Sequence, residues 1–211
     1  CHAMGNGPGD LEDYFKLFAS SDLLCGGFVW EWCDHAIYKG QADNGKAMYY
    51  YGGDHGEYLH DGNFCMDGLV YPDRRPHTGL LEYKNVHRPA RVVAFSQATG
   101  QITLRNELDF TILGEYLSVQ YQITCDGQII SNGRISEFPA ILPHQTGILS
   151  IPIHIPSKGR CFLKLCYLTA YASATVPAGY FLGFDEIPLV NADPRYQPSV
   201  AVSYTHLTLP T

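Results

Sequence analysis

The spacing of apolar residues changes once along this chain. Between residues 10 and 20, Leu11, Tyr14, Phe15 and Phe18 recur at helical spacing behind Asp10, a candidate N-cap, with Glu12 and Asp13 in the first turn. This pattern predicts a helix ending near Ser20 and Ser21. Gly26-Gly27 then leads into Phe28-Val29-Trp30-Glu31-Trp32, an aromatic and β-branched run that predicts a short, fully buried strand. A helix followed by a buried strand predicts an α/β layer. Residues 34–76 keep no period and are rich in Gly, Asp, Tyr and His; a connection of that length in a compact domain is functional or disordered. Its aromatics, among them Tyr49, Tyr50, Tyr51, Tyr58, Phe64 and Tyr71, predict order. A second helix is predicted over 78–85.

After Arg88-Pro89 the period becomes two. Short segments at 91–96, 101–106, 117–125, 128–135, 147–153, 161–170 and 180–187 are separated by turn signals such as Thr99-Gly100, Asp126-Gly127, Asn132-Gly133 and Ser157-Lys158-Gly159. Short strands at this density predict an antiparallel β-sandwich of immunoglobulin type. The chain carries no internal repeat and no low-complexity segment.

Composition narrows the picture. With 211 residues, 45% hydrophobic and 17% charged, the chain has the make-up of one large or two small packed domains rather than a disordered segment. A formal net charge of −7 with scattered Lys and Arg speaks against nucleic acid as a partner. No apolar run reaches the roughly 20 residues of a membrane-spanning helix, so no membrane partner is expected. Seven cysteines, an odd number without framework spacing, predict reduced thiols and a cytoplasmic setting. A zinc cage from Cys25, Cys33, His35 and Cys65 lacks the paired C-x-x-C spacing of structural zinc sites.

Trp30 ends the predicted strand, where α/β barrels place their working residues. There it is either a core tryptophan or a platform for the C–H face of a sugar. Around it the sequence supplies His2, Asn6, Asp54, His55, His60, Asp61, Asn63 and Asp67. Carboxylates, imidazoles and amides beside an aromatic surface suit a neutral, hydroxyl-rich ligand, or a hard cation bound through oxygen. Phosphate fits worse, because no glycine-rich phosphate loop is present. A glycosidase needs two flanking carboxyl groups, for which Glu31 and Asp34 are nearest in sequence. Strand alternation puts Glu31 on the face opposite Trp30 and Asp34 in the following turn, so both are read as structural polar groups. No serine or cysteine stands in a nucleophile-base arrangement.

Several stretches occur in a specific order: Cys1-His2-Ala3-Met4-Gly5-Asn6, Gly26-Gly27-Phe28-Val29-Trp30-Glu31-Trp32, Tyr51-Gly52-Gly53-Asp54, Asp61-Gly62-Asn63-Phe64-Cys65-Met66-Asp67-Gly68-Leu69-Val70, Asp73-Arg74-Arg75-Pro76-His77 and Glu82-Tyr83-Lys84. Together they resemble the large, multidomain β-galactosidases of glycoside hydrolase family 2, over nearly all of residues 1–91; the later half is similar in pattern and order. The resemblance implies an α/β plus all-β fold. Residues 1–88 would be the C-terminal part of a catalytic TIM barrel, 89–190 an immunoglobulin-like antiparallel β-sandwich, and 191–201 a linker toward a further domain. It also implies that the nucleophilic Glu falls two residues before Cys1, with the acid/base Glu and the magnesium ligands near it further upstream. What remains here is supporting: His2 bonding galactosyl hydroxyls and Trp30 lying under the sugar. The backbone oxygen of Phe64 and the side chain of Asp67 would hold a sodium ion that also touches the sugar. The family commonly has Asn at the Asp67 position. His60 corresponds to a second magnesium position occupied by Asn in some members.

On this resemblance the chain is a fragment of a retaining β-galactosidase that hydrolyses terminal β-D-galactose from substrates such as lactose. Its partners are the rest of the parent chain and, when intact, further copies in a homo-oligomer. It lacks both catalytic carboxylates, so the piece alone is expected to be inactive. It opens without an initiator Met, and residues 202–211 resemble a translated sequencing adapter. A rival reading from another class is a noncatalytic carbohydrate-binding or structural sandwich, which predicts an exposed aromatic row on one sheet face.

Overall fold

The structure, a computed structural model, describes residues 1–4, 9–135 and 137–191. Asn6, all but the first residue of 191–201, and the adapter-like 202–211 lie outside the described residues. The chain divides into two compact units at Arg88/Pro89.

In the first unit, helix α1 (Leu11–Ala19) buries Leu11 and sets Phe15 edge-on to His87, with ring centroids 4.4 Å apart. Asp10 does not cap it through its side chain. Its φ of 57° is left-handed, whereas a capping side chain reaches back to the first turn from an extended backbone; only its carbonyl takes part, accepting the N–H groups of Asp13 and Tyr14 at 3.0 Å. The period-free stretch contains an exposed hairpin, β1 (Ile37–Gln41) paired with β2 (Ala47–Tyr50), and a 3-10 turn at Gly62–Cys65. Helix α2 (Thr78–Val86) closes the unit.

The run Phe28 to Trp32 is paired but not buried. Trp30 donates its N–H to Cys1 O and accepts from Ala3 N–H, both at 2.7 Å, while Glu31 donates to Asp67 O at 2.8 Å and accepts from Leu69 N–H at 2.9 Å. The bridges His2 with Trp30 and Cys33 with Val70 are parallel, so Cys1–Ala3, α1 and Trp30 follow strand-helix-strand order. The expected fully buried strand is therefore corrected: Phe28 is 96% exposed, Trp30 57% and Trp32 58%. Hydrogen bonds satisfy the edges of a strand; burial needs layers over its faces, and among the described residues of this unit no such layer covers these rings.

In the second unit, β3 (Ala90–Ser96), β4 (Gln101–Asn106), a helical turn α3 (Leu113–Tyr116), β5 (Leu117–Cys125), β6 (Gln128–Arg134), β7 (Thr146–Ser150), β8 (Cys161–Thr169) and β9 (Phe181–Leu189) follow in order. They form two antiparallel sheets, β3-β4-β7 and β6-β5-β8-β9. Ile102, Leu104 and Leu149 from one sheet share a core with Val119, Ile123, Leu163, Leu165 and Tyr167 from the other. The period of two is clearest on β8, where Cys161, Leu163, Leu165, Tyr167 and Thr169 are buried and the residues between them are not. Asp126 and Gly127, at φ 48° and 80°, turn β5 into β6 as a two-residue hairpin loop with both residues left-handed, which suits Asp-Gly.

Candidate active site

A cleft of about 400 Å³ opens in the first unit between the Trp30–His35 run and the 60s loop, lined among others by Trp30, Glu31, His35, His60, Phe64 and Asp67. Each wall has a local cause. The Trp30–Asp34 main chain is laced to Asp67–Val70 by the bonds given above and by Val70 N–H to Trp32 O and Asp34 N–H to Val70 O, both 3.0 Å. The 3-10 turn displays Phe64 at the rim, closed by Phe64 N–H to Asp61 O at 3.2 Å and Met66 N–H to Asn63 O at 2.9 Å. Gly52 is required beneath it, since a Cβ there would come within 2.5 Å of Gly62 O.

The loop before the turn folds on its own carboxylates. Glu57 accepts Gly53 N–H at 2.7 Å and His55 N–H at 3.0 Å, and these donors, Gly53 first, hold its pKa below the ordinary carboxylate value. Asp54 accepts Tyr51 N–H at 2.9 Å. His60 lays its ring over Gly53, and its Nδ1 accepts Gly62 N–H at 3.1 Å.

Asp67 is the unusual member. It is 2% exposed, and its Oδ1 has no hydrogen-bond partner. A carboxylate oxygen withdrawn from water and left unpaired is costly, and a hard cation is the partner that would offset it most. Asp67 Oδ1 therefore fits a cation, and Phe64 lines the same cleft. The surroundings of His60 do not fit magnesium in the same way. Its ring offers nitrogen where magnesium prefers oxygen, and Nδ1 is already taken by the Gly62 N–H. Among the described residues no three His, Cys, Asp or Glu side chains, Cys25, Cys33, His35 and Cys65 included, gather into a metal-holding group; all seven cysteines are free thiols.

The structure thus brings Trp30, Phe64, Asp67 and His60 to one cleft. His2, exposed, sits beside Trp30 through their main-chain bridge. Glu31 is a correction: it lines the same cleft as Trp30. The alternation argument fails because pairing at this end of the run is confined to isolated bridges. Glu31 Oε1 also meets His35 Nε2 at 3.2 Å, a pair the sequence reading missed. A second missed pair is Asp34 and His77, 2.7 Å apart; His77 stands in a quoted motif and Asp34 in none, so no sequence signal joined them.

An exposed aromatic ring and a buried carboxylate with one unpartnered oxygen thus share a cleft beside parallel-bridged segments. The comparisons carry this further. The family description "Glycosyl hydrolases family 2, TIM barrel domain" matches residues 1–92, and "Beta-galactosidase, domain 4" matches residues 102–190. The β-galactosidase of Actinobacillus pleuropneumoniae is 44% identical over 203 residues, 95% of this chain and 19% of that protein. That of Staphylococcus xylosus is 44% identical over 188 residues, 88% of this chain and 18% of its own length. The β-galactosidase of Arthrobacter sp. (strain B7) is 36% identical over 199 residues. The chain belongs to glycosyl hydrolase family 2. It spans about a fifth of the length of these relatives.

Proposed function

We propose that this chain supplies the sugar platform and the cation loop of a retaining β-galactosidase. The observation that carries the reading is the shared cleft of Trp30, Phe64 and Asp67 with the unpaired Asp67 Oδ1, in a chain whose relatives are named β-galactosidases. By resemblance, bond cleavage belongs to carboxylates that precede Cys1 in the family's order, so the residues here bind and orient. Trp30 offers its face to the C–H side of galactose, His2 bonds its hydroxyls, and Asp67 with the Phe64 carbonyl holds sodium. The ion, when bound, supplies a positive centre for sugar oxygens.

Several finer points belong to the same reading. An immunoglobulin-type sandwich is supported by the three-plus-four strand arrangement, in which β4 pairs with β7 and β5 with β8. Seven free thiols support a reducing, cytoplasmic setting. A β-galactoside such as lactose is the substrate, and the intact protein is a homo-oligomer. Magnesium at His60 has the resemblance alone behind it.

The test is a chimera in which residues 1–190 replace the matching segment of the A. pleuropneumoniae β-galactosidase. Hydrolysis of a chromogenic β-galactoside, with the corresponding β-glucuronide left intact, is the expected result. A folded chimera that hydrolyses neither, or that prefers the glucuronide, overturns the reading.

A further inference from the structure

Asp67 is followed by Gly68, and Gly68 donates its N–H to Asp34 Oδ1 at 2.8 Å. Asp34 is 3% exposed, and its other oxygen, Oδ2, lies 2.7 Å from His77 Nε2. His77 is in turn stacked on Tyr71, with centroids 3.7 Å apart and planes inclined by 26°. A carboxylate this far from water is tolerated where both oxygens are engaged, and here they are engaged by different segments. One holds the main chain beside Asp67; the other holds the turn before α2.

Asp34 grips the cation loop at two points, because its own N–H also donates to Val70 O at 3.0 Å. Between those points the backbones are in direct contact. A Cβ on Gly68 would run into Asp34 N, Cys33 C and Val70 O. Val70 bridges Cys33 on one side and Pro76 on the other, so Cys33–Asp34, Gly68–Val70 and Pro76–His77 form one small knot whose buried polar centre is the Asp34 carboxylate.

We propose that Asp34, braced by His77, is a positioning residue for the cation site: it fixes the Asp67–Val70 main chain against the Trp30–Asp34 run and so fixes where Asp67 Oδ1 stands relative to Trp30. This rests on the reading of Asp67 as a cation ligand. What the role requires is an acceptor for Gly68 N–H and a partner for His77. Asn in place of Asp supplies both; Ala supplies neither.

The test is a sodium titration of the full chain, with choline keeping ionic strength constant, followed by tryptophan fluorescence. The chain has two tryptophans, Trp30 and Trp32, and Trp30 lines the cleft, so the signal reports on the site. The unaltered chain gives a saturable response. Asp34→Ala raises the sodium midpoint about tenfold, the equivalent of losing one hydrogen bond to a charged group, and Asp34→Asn keeps it within about threefold. An Asp34→Ala midpoint equal to that of the unaltered chain overturns the proposal and leaves the cation reading standing. No saturable response in the unaltered chain overturns the cation reading and the proposal with it. If Asp34→Ala does not fold, His77→Ala decides, because it removes the brace and leaves the Gly68 bond: a rise of about threefold supports the proposal, and an unchanged midpoint overturns it.

Discussion

The Tyr167 hydroxyl on β8 donates a 2.5 Å hydrogen bond to the Asp185 carboxylate on β9, and the same carboxylate oxygen accepts Val92 N–H from β3 of the opposite sheet at 3.1 Å. Tyr167 is fully buried, so its hydroxyl depends on a protein partner, and Asp185 joins both sheets at the irregular step between Val92 and Ala94. Tyr167→Phe should cost about 2 kcal/mol, the worth of a hydrogen bond to a charged group. Asp185→Ala should cost more, because it removes the acceptor of both the Tyr167 hydroxyl and the Val92 N–H. Urea unfolding of the full chain, followed through the sandwich transition, checks both; equal stability for the two variants would count against the link.

The sandwich was legible in the sequence because its strands are buried on one face. On β8 the buried and half-buried residues alternate without a break, and the predicted bounds coincide with the observed ones for β4 and β5 and differ by at most three residues for the others. The hairpin of β1 and β2 was not legible. β1 is exposed along nearly its whole length, so no burial imposes a period on its sequence. For the Phe28 to Trp32 run, composition reported pairing correctly and burial wrongly, since aromatic and β-branched residues favour an extended backbone whether or not a layer covers its faces. The Asp34–His77 pair spans a separation that no local pattern covers, and Glu31 was misassigned by applying strand alternation to a run held by single bridges.

Gly68 is a point where the fold tolerates no side chain. In Gly68→Ala the new carbon meets backbone atoms of Cys33, Asp34 and Val70, which cannot give way as a flexible side chain does. A destabilisation of about 3 kcal/mol is expected, with loss of the tryptophan response to sodium. Thermal unfolding of the first unit checks the first part; retention of both stability and response would show that the close approach is not real.

Trp30 and Trp32 are equally exposed, but Trp30 is the one named in the lining of the cleft. In the chimera, Trp30→Ala should lower kcat/KM for a β-galactoside by about 30-fold, the loss of one stacking surface, whereas Trp32→Ala should leave it within about threefold. Steady-state kinetics of the two variants separates a platform from a merely exposed ring.

Burial pushes the Cys161 thiol up to about 12, with the neighbouring Cys125 thiol as the next cause, and burial also raises that of Cys166. Cys25, by contrast, is exposed. Alkylation of the native chain near neutral pH should label Cys25 readily and Cys161 at least about 100-fold more slowly. Because the Cys161 value is raised above 9.0 in the folded state, its contribution to stability is complete below 9.0. It is lost as pH climbs from 9.0 toward 12, where the unfolded thiol ionises and the folded one does not. Urea midpoints measured across that window should fall, and Cys161→Ala should flatten the fall.

The most direct measurement is the sodium dependence of β-galactoside hydrolysis by the chimera, with choline as the replacement cation, for the parent sequence and for Asp67→Ala. If Asp67 Oδ1 and the Phe64 carbonyl hold the ion beside the Trp30 platform, removing sodium lowers kcat/KM by about tenfold or more in the parent. In Asp67→Ala the rate is already low and no longer responds to sodium. Sodium-independent hydrolysis in the parent, or an undiminished sodium response in Asp67→Ala, would contradict the account.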